Sequence, residues 1–199
     1  MRPMRSLPLL VLLAAATAPA PSGATRYEVD DQHTSVTFSV RHLFTEVEGR
    51  FRTFGGEIVF DPAAPEQASI KGTIDTASID TNVQKRDEHL RSADFFDVAK
   101  YPKIEFTSTG VSDIDKATNK GKILGNLTMH GVTKPVVLDA QFLGAATDPW
   151  GNRKAGFAAT TTINRKDFGL GWNKALESGG LLVGDEVTIR INVEGDVRE

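Results

Sequence analysis

Residues Val187–Glu194 read VTIRINVE. Val187, Ile189, Ile191 and Val193 fall on one face, and Thr188, Arg190, Asn192 and Glu194 on the other. A strict two-residue period is the signature of a β-strand with one dry and one wet side. The same period recurs through most of the chain. Thr34–Arg41 carries Val36, Phe38 and Val40 on one face, and Glu46–Thr53 carries Val47, Gly49 and Phe51. Gly55-Gly56 then interrupts, and Ile58 and Phe60 resume on the opposite parity, which predicts a bulge or sharp bend there. Ala68–Asp75, Lys103–Ser108, Lys122–Met129, Val136–Phe142 and Gly156–Ile163 complete a set of eight predicted strands. The Asp61–Pro65 run, Lys116–Gly121, His130-Gly131, Asp148–Asn152 and Ser178–Gly184 read as turns, and Asn164–Trp172 as a short helix or turn.

One stretch does not alternate. Arg86–Pro102 reads RDEHLRSADFFDVAKYP, within a predicted helical insertion over about residues 82–97. Thr81 and Gln84 have capping-box spacing, Asp87 and Arg91 can pair at i, i+4, and Tyr101-Pro102 stops the helix. Phe95-Phe96 reads as a hydrophobic anchor for this insertion, placed to cover whatever the strands enclose.

The N-terminus differs in kind. Arg2 and Arg5 precede an uncharged apolar run from Leu7 to Ala16, followed by small residues ending in Ser22-Gly23-Ala24. The run is shorter than the ~20 residues of a membrane span, so residues 1–24 read as a cleaved secretory signal, with an uncleaved anchor as the alternative. Export then predicts a periplasmic, single domain over residues 25–199. Of the 199 residues, removal of the leader takes two arginines and no acid, moving the net charge from −3 to −5. That balance argues against nucleic acid and against simple electrostatic docking on anionic membranes. With no cysteine, the fold rests on burial alone.

One-sided strands bury their dry face either by closing into a barrel or by stacking as a sandwich, and alternation does not separate the two. An eight-stranded barrel is just wide enough to be filled by side chains or to admit one small ligand. The dry face mixes large residues with Gly49, Ala68, Gly72, Gly125, Ala140, Ala159 and Thr161, which favours a hollow interior, and it carries no charged cluster, which favours an apolar guest. A ten-residue strand spans roughly 33 Å, so such a lumen is long and narrow.

Signals for catalysis are weak. His33, His42, His89 and His130 show no metal-ligand spacing, and no Gly-x-Ser-x-Gly elbow occurs. Gly55-Gly56 and Gly179-Gly180 lack the strand–helix setting of a phosphate loop. Arg86, Asp87 and His89 are the one acid/base grouping, and a polar face pinning the helix explains them as well. No catalytic residue, metal ligand or covalent cofactor is therefore assigned. Trp150 and Trp172 are loop aromatics suited either to packing or to meeting a guest or a bilayer.

The chain resembles the YceI-like family of periplasmic polyisoprenoid-binding proteins. The matching stretches are Tyr27–Asp30, His33, Val36–Val40, Gly49–Phe51, Phe54–Gly56, Ile79–Thr81, Arg86–Leu90, Asp94–Asp97, Tyr101-Pro102, Gly125–Thr133, Arg165–Gly169 and Val183–Val187. Thr34 stands where the family pattern has serine. The resemblance implies an all-β, eight-stranded antiparallel lipocalin-like barrel whose apolar lumen holds an isoprenoid lipid, such as a polyprenyl pyrophosphate or an isoprenoid quinone, or a similar long-chain amphiphile. It supplies no catalytic residues. The expected wall contacts are Val36, Phe38, Val40, Phe51, Ile70, Ile104, Phe106, Leu127, Phe142, Phe157 and Ile163, with Phe95, Phe96, Arg165 and Trp172 at the mouth or head group. Expected partners are the lipid, a membrane or membrane protein in transient contact, and a second copy in a homodimer. The rival functions are an enzyme acting on a lipid head group through Arg86, Asp87 and His89, and a stress-response partner protein with a solid core.

Overall fold

A computed structural model describes residues 23–175 and 181–198. The leader, its cleavage region up to residue 22 and residues 176–180 of the Ser178–Gly184 turn lie outside the described residues. Among the described residues, eleven strands and one α-helix follow in order: β1 Thr25–Val29, β2 Ser35–His42, β3 Thr45–Phe51, β4 Phe54–Phe60, β5 Ser69–Asp75, β6 Ile79–Asp80, α1 Gln84–Arg91, β7 Lys103–Asp115, β8 Lys120–Met129, β9 Val132–Thr147, β10 Arg153–Asn164 and β11 Val183–Val197.

Three pairs of these strands are single staves with a break. β1 and β2 both lie along β11, through Tyr27↔Val197 and Val36↔Ile191. On their other side they meet β4 and β3, through Tyr27↔Ile58 and Phe38↔Gly49. β4 and β3 in turn meet β5 and β6, through Ile58↔Ile70 and Phe51↔Ile79. The result is an eight-staved antiparallel barrel in simple up-and-down order, closed where β11 meets β1/β2. Closure, not stacking, buries the dry faces.

The breaks explain where alternation misleads. The parity change falls at Arg52-Thr53, not at Gly55-Gly56, which lie inside β4. Facing it, Thr76–Ser78 forms a 3-10 turn, and the Arg52 N–H donates to the Ser78 carbonyl while the Asp75 N–H donates to that of Thr53. Two adjacent staves thus break together and satisfy each other's backbone groups. β1 was not among the predicted strands, because five residues with only Tyr27 and Val29 as its large apolar residues give too short a pattern. The predicted turn or helix after β10 is a 3-10 turn over Arg165–Phe168.

α1 covers one end of the barrel, here the helix end, which also carries the Leu43-Phe44, His130-Gly131 and Arg165–Phe168 turns. It is shorter than the predicted insertion and its capping box does not form. Val83 sits at the cap position without a side-chain bond, and Gln84 bonds Glu88 instead. Asp87, buried, reaches back from inside the helix and accepts from the Thr81 N–H (2.9 Å) and hydroxyl. Arg86 donates to the Thr81 hydroxyl (2.7 Å) and carbonyl (2.8 Å). Arg91 does not pair with Asp87; it donates to the carbonyls of Ala77 (2.7 Å) and Ile79 (2.5 Å). The charged face of α1 is thus bonded to the β6 segment instead of to itself. Thr76 bonds the carbonyls of Tyr101 and Pro102, fixing where the insertion ends.

The seam of the barrel is held by charge. Lys154 on β10 lies 2.9 Å from Asp30 in the β1–β2 break and 2.8 and 2.9 Å from Glu194 and Asp196 on β11. His33 bonds Asp30 at 2.7 Å. The His33 and Lys154 bonds hold the Asp30 carboxyl well below the usual carboxylate range, and the Asp30 bond raises the His33 ring. A depressed carboxyl contributes stability above its unfolded pKa of about 3.9, and that contribution is lost as pH falls toward the folded value. Melting temperature should therefore drop more steeply below about pH 4 in the wild type than in Asp30→Asn, which starts lower at neutral pH. At the helix end, Asp87→Asn should cost about 2 kcal/mol in chemical denaturation, the typical loss for a hydrogen bond to a charged group. It should also speed hydrogen exchange of α1 amides ahead of those in β7–β11.

Candidate functional site

The barrel interior divides into two apolar regions with open space along them. Nearer α1, Val36, Phe51, Ile79, Ile104, Leu127, Met129, Ile163, Phe168 and Leu170 form a buried cluster. Toward the far end, Tyr27, Ile58 and Ala155 are joined by Phe60, Ile70, Phe142, Phe157 and Val193. Here the rings of Phe60, Phe142 and Phe157 meet pairwise with centroids 4.9–5.5 Å apart. A cavity of about 590 Å³ runs past both groups. That is within the range of small-molecule sites, and its boundary is overwhelmingly apolar.

All eleven predicted wall residues border this cavity: Val36, Phe38, Val40, Phe51, Ile70, Ile104, Phe106, Leu127, Phe142, Phe157 and Ile163. Alternation supplied them because each inward position is two residues from the next. It also placed Ile58, Phe60, Val187, Ile189 and Ile191 on dry faces, and these border the cavity too. Phe54, beside the break in its stave, is a lining residue that the pattern did not reach.

The small inward residues work differently from expectation at two places. A Cβ added to Gly49 would lie 2.3 Å from the Phe38 ring, and one added to Gly125 would lie 2.3 Å from the Phe106 ring. These glycines are seats: each lets the neighbouring aromatic ring lie back against the wall, so the space opens on the barrel axis. Thr161, the hydroxyl on this face, donates to the Val137 carbonyl at 2.8 Å and so leaves no unmet donor facing a guest.

Most charged lining residues lie toward the two ends. Asp115, Lys116, Asn119 and Lys120 stand at the far end, where the Asp115 carboxyl is held below its usual range by the Thr118 hydroxyl and by the backbone of its own turn. At the helix end, Phe95 and Phe96 split their roles. Phe96 packs edge-on against the wall ring of Phe51, with centroids 6.0 Å apart. Phe95 joins His89 and Trp172 in a three-ring group with centroids 4.8–5.2 Å apart, and all three border the cavity.

Arg165 borders the cavity but its guanidinium is engaged elsewhere. It is 4% exposed and donates to the carbonyls of Gly184 (2.8 Å), Leu170 (2.5 Å) and Trp172 (2.9 Å), with Asp185 at 3.3 Å. Burial lowers its pKa, and Asp185 opposes the shift. In place of a head-group contact, Arg165 ties the loop after β10 to β11.

Arg86, Asp87 and His89 do not assemble into an acid/base site. Arg86 and Asp87 are engaged with Thr81, while His89 turns to Asp94, 2.8 Å away. His130 bonds the Phe168 carbonyl at 3.2 Å and packs against Tyr101. The structure does bring Asp30, His33 and Glu194 within ligating distance of one another, a grouping hidden in the sequence by some 160 residues of separation. The Lys154 ammonium already stands between those two carboxylates, so the group is an ion-pair clip.

Comparison with known proteins agrees with this architecture. A UPF0312 protein of Vibrio cholerae is 43% identical over 169 residues, covering 83% of this chain and 88% of its own. One from Azotobacter vinelandii is 42% identical over 194 residues, covering 96% and 97%. Among solved structures, Burkholderia cenocepacia BcnA superposes with a TM-score of 0.73 at 26% identity, over 83% of this chain and 98% of its own. The Campylobacter jejuni YceI protein gives 0.68 at 37% identity, over 80% and 90%. A polyisoprenoid binding domain from Saccharophagus degradans shares the fold, with a TM-score of 0.61 at 16% identity over 86% and 98%. The YceI-like domain matches residues 27–195, nearly the whole described barrel, and the chain belongs to the YceI-like family.

Proposed function

We propose that this protein is a periplasmic carrier that holds an isoprenoid lipid, a polyprenyl pyrophosphate or isoprenoid quinone, or a similar long-chain amphiphile in its lumen, and acts by binding, without catalysis. The observation that carries the reading is the continuous apolar cavity, bordered from Phe142 and Phe157 at one end to Phe95 and Trp172 at the other. Its walls offer an apolar chain burial and offer a polar ligand almost nothing. Moving ten methylenes out of water contributes roughly 8 kcal/mol, from which the costs of association and of ordering the chain are subtracted. The fold shared with a polyisoprenoid binding domain supports the choice of guest. The concentration of charged lining residues toward the ends supports an arrangement in which the tail is enclosed and the head group stays at a mouth. The rival solid-core reading does not account for the cavity, and the rival enzyme reading lacks its acid/base group. Placement in the periplasm rests on the leader of residues 1–24.

Native purification followed by organic extraction and mass spectrometry should yield a prenyl lipid or another long-chain amphiphile. Ala159 borders the cavity and pairs with Ile191, another lining residue on the neighbouring strand, so Ala159→Phe should place a ring in the bore. That variant should keep its melting temperature and lose uptake of a fluorescent prenyl lipid. An empty native protein that also fails to take up the probe would sink the carrier reading.

A further inference from the structure

The two shortest turns at the helix end are built in opposite ways. His130-Gly131 joins β8 to β9 with both residues at positive φ, and glycine suits that geometry. Leu43-Phe44 joins β2 to β3 across the pair His42↔Thr45, yet it sets a leucine in the left-handed region (φ 50°) and leaves Phe44 88% exposed. Asparagine or glycine would relieve the backbone there, and a polar residue would suit the solvent. Among the described residues, both side chains stay exposed.

The turn sits beside residues that line the cavity at the helix end. The Leu43 N–H donates to the carbonyl of Leu182, which borders the cavity with His42 and Val183. Leu181 and Val83 add two further exposed apolar side chains at this end. The exposed charges nearby are of both signs: Arg41, Lys85 and Lys174 against Glu46, Glu48 and Glu88. An apolar rim around an apolar bore, without a net basic patch, fits a surface that is itself apolar just below a neutral polar layer.

We infer that the helix-end mouth docks on the surface of a lipid bilayer, with Leu43 and Phe44 entering the interfacial layer, and that the guest passes between bilayer and lumen through this contact. The inference rests on the carrier reading for what is exchanged; the docking itself is a separate property. A guest leaving through a mouth pressed against lipid never exposes its tail to water, and the barrier that exposure would raise is removed. Insertion of apolar side chains, not charge, supplies the attachment, so it is insensitive to salt.

Flotation with phosphatidylcholine vesicles tests this. The wild type should float with the vesicles in low and high salt. Phe44→Ser should weaken the association roughly tenfold, as expected for removal of one inserted aromatic side chain. Leu43→Asn should also weaken it while holding or raising the melting temperature, which separates lost docking from misfolding. Trp150→Ser, at the opposite end, should float like the wild type. Each of these variants should still take up a fluorescent prenyl lipid delivered from ethanol, while Phe44→Ser and Leu43→Asn should acquire it slowly from vesicles. The docking inference is overturned if the wild type does not float, if Phe44→Ser floats unchanged, or if Phe44→Ser only converts a dimer to a monomer in sedimentation, which would assign the turn to a second copy. Failure of wild-type uptake from ethanol would instead count against the carrier reading, whatever the flotation shows.

Discussion

The structure depends on one closure: β11 must pair with β10 on one side and with the interrupted β1/β2 stave on the other. An open sheet of this sequence would leave its dry face in water and two edges unpaired. The seam is where an up-and-down barrel joins residues far apart in the chain, so it carries the largest entropic cost of assembly. Lys154 stands on that seam. By bonding Asp30 in the β1–β2 break together with Glu194 and Asp196, it joins three neighbouring staves at one point. The Thr34 hydroxyl, bonding the Glu194 backbone, reinforces the same junction.

The breaks in the staves give the barrel its helix end. Where β3/β4 and β5/β6 interrupt together, the 3-10 turn at Thr76–Ser78 offers carbonyls that a continuous strand would have spent on its neighbours. Arg91 takes up one at Ala77 and another at Ile79, just beyond that turn. Asp87 and Arg86 then fasten Thr81, so α1 is held by hydrogen bonds to backbone as much as by apolar contact. Arg86 and Asp87, two of the three residues of the acid/base grouping, are with Arg91 the fastening of a cover. Phe96 completes it from inside by resting on Phe51.

Much of this was legible in the sequence because a two-residue period is a purely local signal. The inward residues of β2, β7, β8, β10 and β11 follow from it directly, and so does their place along the cavity. Three kinds of feature were not legible. The phase break at Arg52-Thr53 was displaced onto the nearby glycines, since glycine is the usual mark of irregularity and the true cause is a partner turn 23 or more residues away. The capping box failed because Asp87, a stronger acceptor, took the Thr81 N–H. Arg165 was read as available for a head group because sequence does not show that three backbone carbonyls surround it. Long-range groupings such as Lys154 with Asp30 are invisible to any local pattern.

The paired arrangement of Phe38 over Gly49 and Phe106 over Gly125 sets the calibre of the bore independently of the number of staves. A barrel of fixed strand number and stagger has a fixed circumference, yet its free cross-section depends on whether those two rings lie flat or project. Enlarging Gly49 by a single carbon would swing the Phe38 ring toward the axis and narrow the conduit, whereas at Gly125 the added carbon would also press on the Thr107 carbonyl and shift the frame itself. The width of the bore is therefore adjustable at a backbone position, Gly49, that does not itself line it.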